Sequence, residues 1–399
     1  MEKVVVVDNG AWELKGGLAT DAQPRRVPNF ITKAKHDRRR VFVGDELTQC
    51  SDKSGLFFAS PFERGFLIRW ELEHQIWDRL FGADCLSLDC DSASLILTEP
   101  PLNFPSLQET LNEVVFEDYG FKAALRTTPA ALAAYRYAQR HPQALATTVL
   151  DVGASFSHLC PFIQDDEDAP LPWPLRDAVT RVNIGGKILT NHLKEVTSYR
   201  QLQVMEEFYV MNECKEDACF VSADFPADMA RAKRRDGGLR QDYVLPDFAR
   251  LHRGVLREPG QETEGDEQVL HLNQERFAVP ELLFHPSDVG IPEGGVVEAA
   301  ATAILERSPE QVRSHLARHC LLIGGSCAFP GFAARFESEL RAMLPIEWDV
   351  GVSCEEPATY AWQGGALLAR NPHHLNKVTV SKAEYLEHGH SICAKRFPI

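Results

Sequence analysis

The sequence predicts an α/β protein with two lobes that share one core topology. Apolar strand segments alternate with helical segments along most of the 399 residues, which is the element order of an α/β fold. A β-branched strand ends in an Asp-x-Gly turn twice, at Asp8 and at Asp151. A recurring pattern of this kind indicates an internal repeat. Because ligands of such folds bind beyond the carboxyl ends of the strands, we expect the functional site between the lobes.

Composition and charge narrow the class of protein. Hydrophobic residues make up 44% and charged residues 25% of the chain, the balance of a globular protein. No apolar run approaches the roughly 20 residues that span a bilayer, and the N-terminal segment does not read as a signal peptide. The net charge of −15 argues against a general nucleic-acid binder. The ten cysteines form no Cys-x-x-Cys motif, so we expect reduced, mostly buried thiols.

The first half supplies the elements of the first lobe. Val4–Val7 is β-branched throughout and predicts a strand buried on both faces. Residues 25–60 lack periodic apolar positions and are predicted to be irregular. The spacing of apolar residues in 70–81 predicts a helix that ends at Gly82.

Two further helices follow in the first half. A strand stops at Pro100, and Ser106 with a glutamate three residues later predicts a capping box at the next helix start. An alanine-rich segment predicts a helix with Pro129 in its first turn.

The second half repeats the alternation. Gly185–Gly186 separates a strand from a helix, and another helix carries Lys215. Residues 233–268 are rich in glycine, proline and charge and predict a surface insertion. A strand runs into Gly324–Gly325, and helices follow at 332–344 and at the C-terminal side.

Several longer stretches resemble the actin family over nearly the whole chain. They are FVGDE (42–46), LTEPPLN (97–103), YVLPD (243–247), NQERFAVPELLFHPSDVG (273–290), FPGF (329–332) and SKAEYLEHGHSICAKRF (381–397). The resemblance implies an actin-like ATPase-domain fold, with two RNase-H-like lobes and four subdomains around a central cleft.

The resemblance also implies subdomain boundaries within a single actin-like unit of residues 1–399. Subdomain 1 is 1–30, 61–145 and 360–399, subdomain 2 is 31–60, subdomain 3 is 146–184 and 292–359, and subdomain 4 is 185–291 with a loop insertion near 249–268.

A nucleotide site at the cleft is implied residue by residue. The matching positions are Asp8, Asn9, Gly10 and Lys15 in the first phosphate loop, Asp151 and Gly153 in the second, Gly186, Lys215 and Glu216 at the nucleoside, and Gly324, Gly325 and Phe329 in the adenosine motif. Asp8 and Asp151 would hold a metal ion through water. His158 matches a histidine near the attacking water, but it also fits a buried core histidine, which we favour. The Lys215–Glu216 pair also fits a solvated pair on a helix.

This sequence departs from the family pattern where γ-phosphate chemistry takes place. The departures are Ala11, Trp12, Pro129, Ala154, Ser155, Ala328 and Ala358. Ala11 replaces a serine that contacts the terminal phosphate, Trp12 replaces a glycine, and Pro129 falls where actin positions the attacking water with a glutamine. A hydrogen bond to a charged group contributes about 1.5–3 kcal/mol, so we expect no catalytic residue and no required cofactor. The cleft could still hold ATP or ADP with Mg²⁺ statically.

Two interpretations of Trp12 stand side by side at this point. Its side chain either fills a core gap between strand and helix, or it crowds and closes the phosphate pocket. If position 12 needs a positive φ, a tryptophan there costs about 1–2 kcal/mol.

The basic segment 32–40 replaces the longer loop through which actin contacts its filament neighbour. Head-to-tail assembly needs complementary faces, so we expect no homopolymer. The segment is either a solvated loop, which we favour, or a contact with an acidic partner or DNA. Its partner-surface candidates are Lys33, Lys35, Arg38, Arg39 and Arg40.

Within the family, the chain looks most like a nuclear branch of actin-related proteins. That likeness implies a non-polymerising scaffold subunit of a Swr/SRCAP-type chromatin-remodelling complex, in the nucleus with some in the cytoplasm. It would support nucleosome engagement and exchange of variant Z of histone two-A. The implied partners are the remodelling ATPase, a zinc-finger HIT-type subunit, and nucleosome or DNA within the complex, with no membrane. The alternatives are an active ATPase of the actin/Hsp70/sugar-kinase superfamily and a filament-forming actin-related protein.

Overall fold

Two six-stranded sheets form the centres of two lobes that face each other across a cleft. The structure is a computed structural model, and it describes residues 3–35, 40–164, 169–234, 238–258 and 265–397. The predicted α/β fold class is confirmed, and the two sheets account for the two predicted lobes.

The strands follow the chain in this order: β1 Lys3–Asn9, β2 Glu13–Leu18, β3 Arg25–Pro28, β4 Ile31–Lys33, β5 Val41–Val43, β6 Phe57–Ala59, β7 Phe62–Glu63, β8 Phe66–Leu67, β9 Ala93–Thr98, β10 Ala123–Thr127, β11 Ala146–Val152, β12 Ser157–Ile163, β13 Trp173–Pro174, β14 Thr180–Val182, β15 Gln241–Val244, β16 Val255–Leu256, β17 Val269–Leu272, β18 Cys320–Ile323, β19 Val352–Ser353 and β20 Val380–Ser381.

The α-helices are α1 Trp70–Phe81, α2 Pro105–Glu113, α3 Pro129–Arg140, α4 Gly186–Arg200, α5 Phe208–Ala218, α6 Phe225–Ala232, α7 Glu275–Glu281, α8 Val296–Thr302, α9 Arg313–Arg318, α10 Phe332–Met343, α11 Tyr360–Ala369, α12 Pro372–Val378, α13 Lys382–His388 and α14 His390–Arg396. Shorter 3₁₀ segments connect several of them, and the π-helical turns Val114–Asp118 and Ala303–Arg307 extend α2 and α8.

The two sheets repeat one topology. In the first, β1 pairs antiparallel with β2 and parallel with β9, and β9 pairs parallel with β10. In the second, β11 pairs antiparallel with β12 and parallel with β18, and β18 pairs parallel with β19. The repeat inferred from Asp8 and Asp151 is therefore present in the fold, and both turns point into the space between the sheets.

Burial explains why these segments are strands. Val4–Val7 is buried throughout because β1 lies between β2 and β9 with helices over the sheet, as its β-branched run predicts. Every residue of β9 is buried as well. Parallel pairs of this kind require both faces to be covered, so the apolar runs form the two cores.

Two helices cross where the lobes join. α3 leads from the first sheet into β11, and α11 leads the chain back after the second sheet; they pack closely against each other. A Cβ on Gly364 of α11 would lie 2.1 Å from the carbonyl oxygen of Leu132 in α3. The glycine therefore permits a helix approach that a larger residue would block.

Several predicted elements need correction. Residues 25–60 are not irregular, because β3 to β6 lie there and β4 pairs with both β5 and β6. The capping box at Ser106 is wrong: α2 begins at Pro105 with Phe104 as its N-cap, and no side chain caps it. Proline at the first helical position fixes the start two residues earlier than a cap at Ser106 would. The 233–268 segment is not all loop, since β15 and β16 form part of a three-stranded sheet with β17.

Other predictions are confirmed. The helix ending before Gly82, the helix beginning at Pro129 and the helix after Gly186 all form. All ten cysteines are free thiols. In the described ranges, no helix combines the length and the apolar character needed to cross a bilayer.

Candidate functional site

A cavity of about 640 Å³ lies between the lobes at the ends of β1, β11 and β18. The structure brings together in its lining every nucleotide-site position that the resemblance implies and every departure from the family pattern. These are Asp8, Asn9, Gly10, Lys15, Asp151, Gly153, Gly186, Lys215, Glu216, Gly324, Gly325 and Phe329, with Ala11, Trp12, Pro129, Ala154, Ser155, Ala328 and Ala358. His158 lines the same cavity.

Asp8 is held in place by two partners. Its carboxylate lies 3.4 Å from the Nζ atom of Lys15 on the antiparallel neighbour strand. The hydroxyl of Thr98, at the end of β9, donates to the other carboxylate oxygen at 2.8 Å. The same hydroxyl accepts from the backbone N–H of Asn9. Three adjacent strands thus fix the first loop at the cleft floor.

Asp151 faces this group without a partner of its own. In the part of the chain that the structure describes, its carboxylate makes no hydrogen bond or ion pair. Burial raises its pKa to about 7, the charge of Asp8 adds to that rise, and Lys15 opposes it. Two converging carboxylates with one ammonium suit a hydrated divalent cation, which would relieve the repulsion between them. The donor set therefore fits Mg²⁺ held through water by Asp8 and Asp151.

His158 is a neutral, buried imidazole. It pairs in register with Asp151 across β11 and β12. Burial lowers its pKa to about 4, and the positive charge of Arg181 lowers it further. Its ring also lies edge-on to Phe156. The residue thus has the environment of a core histidine whose edge reaches the cavity.

The glycine turn after β18 is shaped by close approach. Gly324 has a φ of +92°, and a Cβ there would lie 2.5 Å from the carbonyl oxygen of Val152 and 2.7 Å from Asp151. Its neighbour Gly325 has open space around it. The positive φ and the close contacts therefore require glycine at position 324, whereas Gly325 leaves room at the cavity wall beside Phe329.

Lys215 is engaged within its own lobe. Its ammonium donates to Asn212 at 2.7 Å, to the hydroxyl of Thr190 at 2.9 Å and to the carbonyl of Gly186 at 3.3 Å. The amide of Asn212 also donates to Glu216 at 2.7 Å. The hydrogen bonds of Lys215 therefore connect α5 to the first turn of α4. A ligand that binds here would contact a hydrogen-bond network that is already formed.

Trp12 crosses the mouth of the cleft. Its ring lies 4.7 Å from that of Phe30, 6.4 Å from that of Phe58 in β6, and 5.5 Å from that of Phe208 on α5 in the opposite lobe. Phe58 also contacts Phe208. We call these four rings the aromatic bridge. Trp12 does not adopt a positive φ, so the backbone strain considered from the sequence does not arise.

Polar contacts reinforce the aromatic bridge on the same side. The backbone N–H of Gly55 donates to both carboxylate oxygens of Glu207, at 3.0 and 3.1 Å. Lys35 pairs with Glu206 at 2.9 Å. Lys53 lies 5.0 Å from the ring centre of Tyr209. The segments next to β4 and β6 are thereby attached at several points to the start of α5 and the residues just before it.

A second crossing lies beside the second phosphate loop. Phe66 in β8 contacts Phe156 of the other lobe, and the guanidinium of Arg181 lies 3.6 Å from the centre of the Phe156 ring. A Cβ on Gly65 would lie 2.5 Å from that ring, and its φ is +76°. This close approach depends on the glycine. The cleft is therefore bridged by aromatic contacts on both sides.

A buried amide and carboxyl group support the first loop from below. The side-chain amide of Asn29 donates to the carbonyl of Gly10 at 3.0 Å and to the amide oxygen of Asn9 at 3.2 Å. Its backbone N–H donates to the carbonyl of Trp12 at 2.9 Å. Beneath it, Glu73 of α1 is fully buried, and burial raises its pKa to about 7 against the hydrogen bonds from Asn9 and Asn29. A neutral carboxyl at this depth avoids the desolvation of a charge.

The departures at Ala11, Pro129 and Ala154 have side chains without hydrogen-bonding groups. Pro129 begins α3, where Thr128 caps the helix by accepting from the N–H of Ala131. Ala11 and Ala154 carry no polar side-chain atom. At these two positions the loops offer only backbone groups to the cavity.

The basic candidates of subdomain 2 differ in their surroundings. Lys33 is exposed, Lys35 is paired with Glu206, and Arg40 donates to Gln49 and lies over the Phe42 ring. Arg38 and Arg39 lie outside the described residues.

Sequence reasoning missed Thr98, Asn29, Glu73, Phe208 and Lys187. Thr98 stands in a stretch quoted for its likeness to actin, directly after a buried strand, and that position could have indicated a contact with Asp8. Nothing local marks Phe208 or Glu73, because their roles arise from contacts with segments distant in the sequence.

Comparison with known proteins gives consistent matches. A family model described as actin matches residues 1–398. The actin-related protein 6 of Drosophila melanogaster is 40% identical over 398 residues, covering 97% of each chain. Proteins of the same name from Neurospora crassa, 36% identical with 98% of this chain and 94% of the relative covered, and from Arabidopsis thaliana, 34% identical with 100% of both covered, are also similar.

Replacing Glu73 by glutamine should remove a pH dependence of stability. The carboxyl binds its proton up to about pH 7 in the folded chain, compared with 4.5 ordinarily. Protonated Glu73 therefore contributes its full stabilisation of the folded state below pH 4.5, and this stabilisation is lost as pH rises through 7. The difference between the two pKa values corresponds to about 3 kcal/mol in free energy of unfolding. As pH rises from about 5 to about 8, the free energy of unfolding of Glu73→Gln, measured by urea denaturation, should increase by about 2–3 kcal/mol relative to that of the wild type.

The exposed Glu71 on the same helix provides the control. Glu71→Gln should keep a constant stability difference from the wild type across this pH range. A constant difference for Glu73→Gln as well would contradict the assignment of a neutral buried carboxyl.

Proposed function

Since the chain belongs to the actin family, as its sequence resemblance predicted, we propose that it is a non-polymerising nuclear scaffold subunit of a Swr/SRCAP-type ATP-dependent chromatin-remodelling complex. In this role it supports exchange of variant Z of histone two-A and nucleosome engagement, with little or no ATPase activity of its own. The observation that carries the proposal is the aromatic bridge, which joins the lobes through side chains of the protein itself.

The aromatic bridge opposes the motion that turnover needs. An enzyme with its site between two lobes must open to exchange nucleotide in each cycle. Opening this cleft separates Trp12 from Phe208 and Gly55 from Glu207. Each aromatic pair contributes about 0.5–1.5 kcal/mol beyond its buried area, and the peptide hydrogen bond to a carboxylate adds to that. A cleft held closed suits a subunit that presents fixed surfaces to its partners.

The phosphate loops support the same conclusion. Ala11 and Ala154 offer no hydroxyl or carboxylate toward a terminal phosphate, and Pro129 cannot orient a water through its side chain. His158 is neutral and sits in a core-like environment. Orientation of the attacking water is therefore not provided by the positions that would supply it in the family.

Static nucleotide binding remains compatible with a scaffold. Asp8, Asp151 and Lys15 converge at one end of the cavity. They would hold Mg²⁺-ATP or Mg²⁺-ADP, with the metal ion neutralising phosphate charge. No nucleotide is required by the proposal, because the aromatic bridge and the α3–α11 crossing already fix the lobes.

The tip of subdomain 2 supports a non-polymerising role. β4 and β5 pair in register from Ile31 with Val43 to Lys33 with Val41, so only residues 34–40 connect them. Lys35 in this connection is turned toward Glu206 of subdomain 4. A short, basic connection offers little apolar surface to a neighbouring copy. We propose the remodelling ATPase and a zinc-finger HIT-type subunit as partners, with nucleosome or DNA contacted within the complex.

An active ATPase is the second candidate, because Asp8, Asp151, Lys15 and His158 do line one cavity. Turnover by the isolated chain separates the two. With MgATP in excess, we expect the wild-type chain to release phosphate no faster than the Asp151→Asn variant does. This expectation holds whether or not nucleotide binds. Turnover at rates like those of actin or faster, abolished by Asp151→Asn, would contradict the scaffold proposal.

Purification of the tagged full chain from nuclear extract tests the partner assignment. We expect it to elute in a large complex that contains a Swr-type ATPase and a zinc-finger HIT-type chain, identified by mass spectrometry. Quantitative recovery as a free monomer, or as a polymer of this chain alone, would contradict the proposal.

A further inference from the structure

A second cavity, of about 440 Å³, lies at the mouth of the cleft beyond the aromatic bridge. We call it the outer pocket. It is lined by Ala11, Trp12, Phe30, Gly55, Leu56, Phe57, Phe58, Ser60, Lys187, Glu206 and Phe208. We call the first cavity, of about 640 Å³, the inner cavity. Five residues line both cavities and so form the partition between them: Ala11, Trp12, Phe30, Lys187 and Phe208.

The walls of the outer pocket are largely aromatic. Five rings contribute, and the rings of Phe30 and Phe58 meet edge to face with centres 5.1 Å apart. Phe57 stands at the rim with 56% of its surface exposed. The volume lies within the range of about 300–1,000 Å³ typical of small-molecule sites. The pocket therefore suits an apolar, flat group.

Lys187 introduces a charge into this apolar surface. It lies in the first turn of α4 and is partly buried. Its ammonium makes no ion pair or hydrogen bond with any described residue. Burial lowers its pKa. A half-buried ammonium without a partner is costly, and an incoming anion would compensate it.

The other charges nearby are already paired or occupied. The carboxylate of Glu206 forms an ion pair with the Nζ atom of Lys35 at 2.9 Å. Lys194 donates to the carbonyl of Met205 and lies 5.1 Å from the centre of the Phe208 ring. Glu207 accepts from Gly55. The charge that remains uncompensated in the pocket is thus the positive charge of Lys187.

We propose that the outer pocket binds an apolar, preferentially aromatic group that carries a carboxylate. The ring packs against Trp12, Phe58 and Phe208, and the carboxylate accepts a charge-assisted hydrogen bond from the Nζ atom of Lys187. A small aromatic acid and a C-terminal aromatic residue of a protein chain share this chemistry. The site is separate from nucleotide chemistry, so it stands or fails independently of the scaffold role.

Calorimetric titration of the full chain with indole-3-propionate and with its neutral amide tests the proposal. A hydrogen bond to a charged group corresponds to about tenfold or more in affinity. We expect the acid to bind at least about tenfold more tightly than the amide. Lys187→Met should abolish that preference, Lys187→Arg should retain it, and Lys33→Met on the exposed surface should leave it unchanged.

A second arm distinguishes the two sources of the ligand. A short Gly-Ser peptide ending in phenylalanine is titrated with a free and with an amidated C-terminus. Binding of the free-carboxylate peptide, sensitive to Lys187→Met, identifies a chain terminus, whereas binding of indole-3-propionate alone identifies a small acid. Both outcomes support the site.

Three results would overturn the proposal. The first is no binding of either acid, and the second is equal affinity for acid and amide. The third is competitive displacement of the acid by MgATP, which would place it in the inner cavity. Circular dichroism of Lys187→Met and Lys187→Arg verifies that each variant is folded before titration.

Discussion

The contact of Trp12 with Phe208 is the interaction on which the arrangement of this molecule depends. It joins the turn after the first strand to a helix of the opposite lobe, with Phe30 and Phe58 packed around it. A glycine at position 12 would remove the indole and leave Phe58 with Phe208 as the ring contact across this mouth. With an indole there, the inner cavity is closed on one side, β6 is attached to α5, and the outer pocket acquires its wall. The aromatic bridge and the proposed acid site both include this one side chain, although the two proposals are tested independently.

Closure also determines the electrostatics of the cleft floor. Burial raises the pKa of Asp151, the charge of Asp8 adds to the rise, and Lys15, which pairs with Asp8, opposes it. Burial likewise raises the pKa of Glu73, below the loop, to about 7. The fold thus tolerates two carboxyl groups with raised pKa values near the first loop. Binding of a cation would lower the pKa of Asp151, so static binding of Mg²⁺-nucleotide is compatible with the proposed lack of turnover.

Local patterns in the sequence were sufficient for the two sheets but not for the contacts between them. The β-branched run Val4–Val7 and the repeated Asp-x-Gly turns predicted the repeat, because burial and turn geometry are encoded locally. The cap at Ser106 failed because Pro105 begins the helix two residues earlier than that cap would. The resemblance predicted which residues line the cavity, but it did not predict that Trp12 contacts Phe208. Phe208, Glu73 and Lys187 act through tertiary neighbours, and no short-range pattern specifies which distant segments will meet.

Hydrogen exchange of the Gly55 amide is the most direct measurement of closure, since this N–H is bonded across the cleft to Glu207. We expect slow exchange in the nucleotide-free wild type, little change on adding MgATP, and exchange at least about tenfold faster in Trp12→Gly. Trp173→Gly, which alters a largely exposed indole, should leave the rate unchanged. Fast exchange in the nucleotide-free wild type that becomes slow only with MgATP would contradict a cleft held closed by its aromatic bridge.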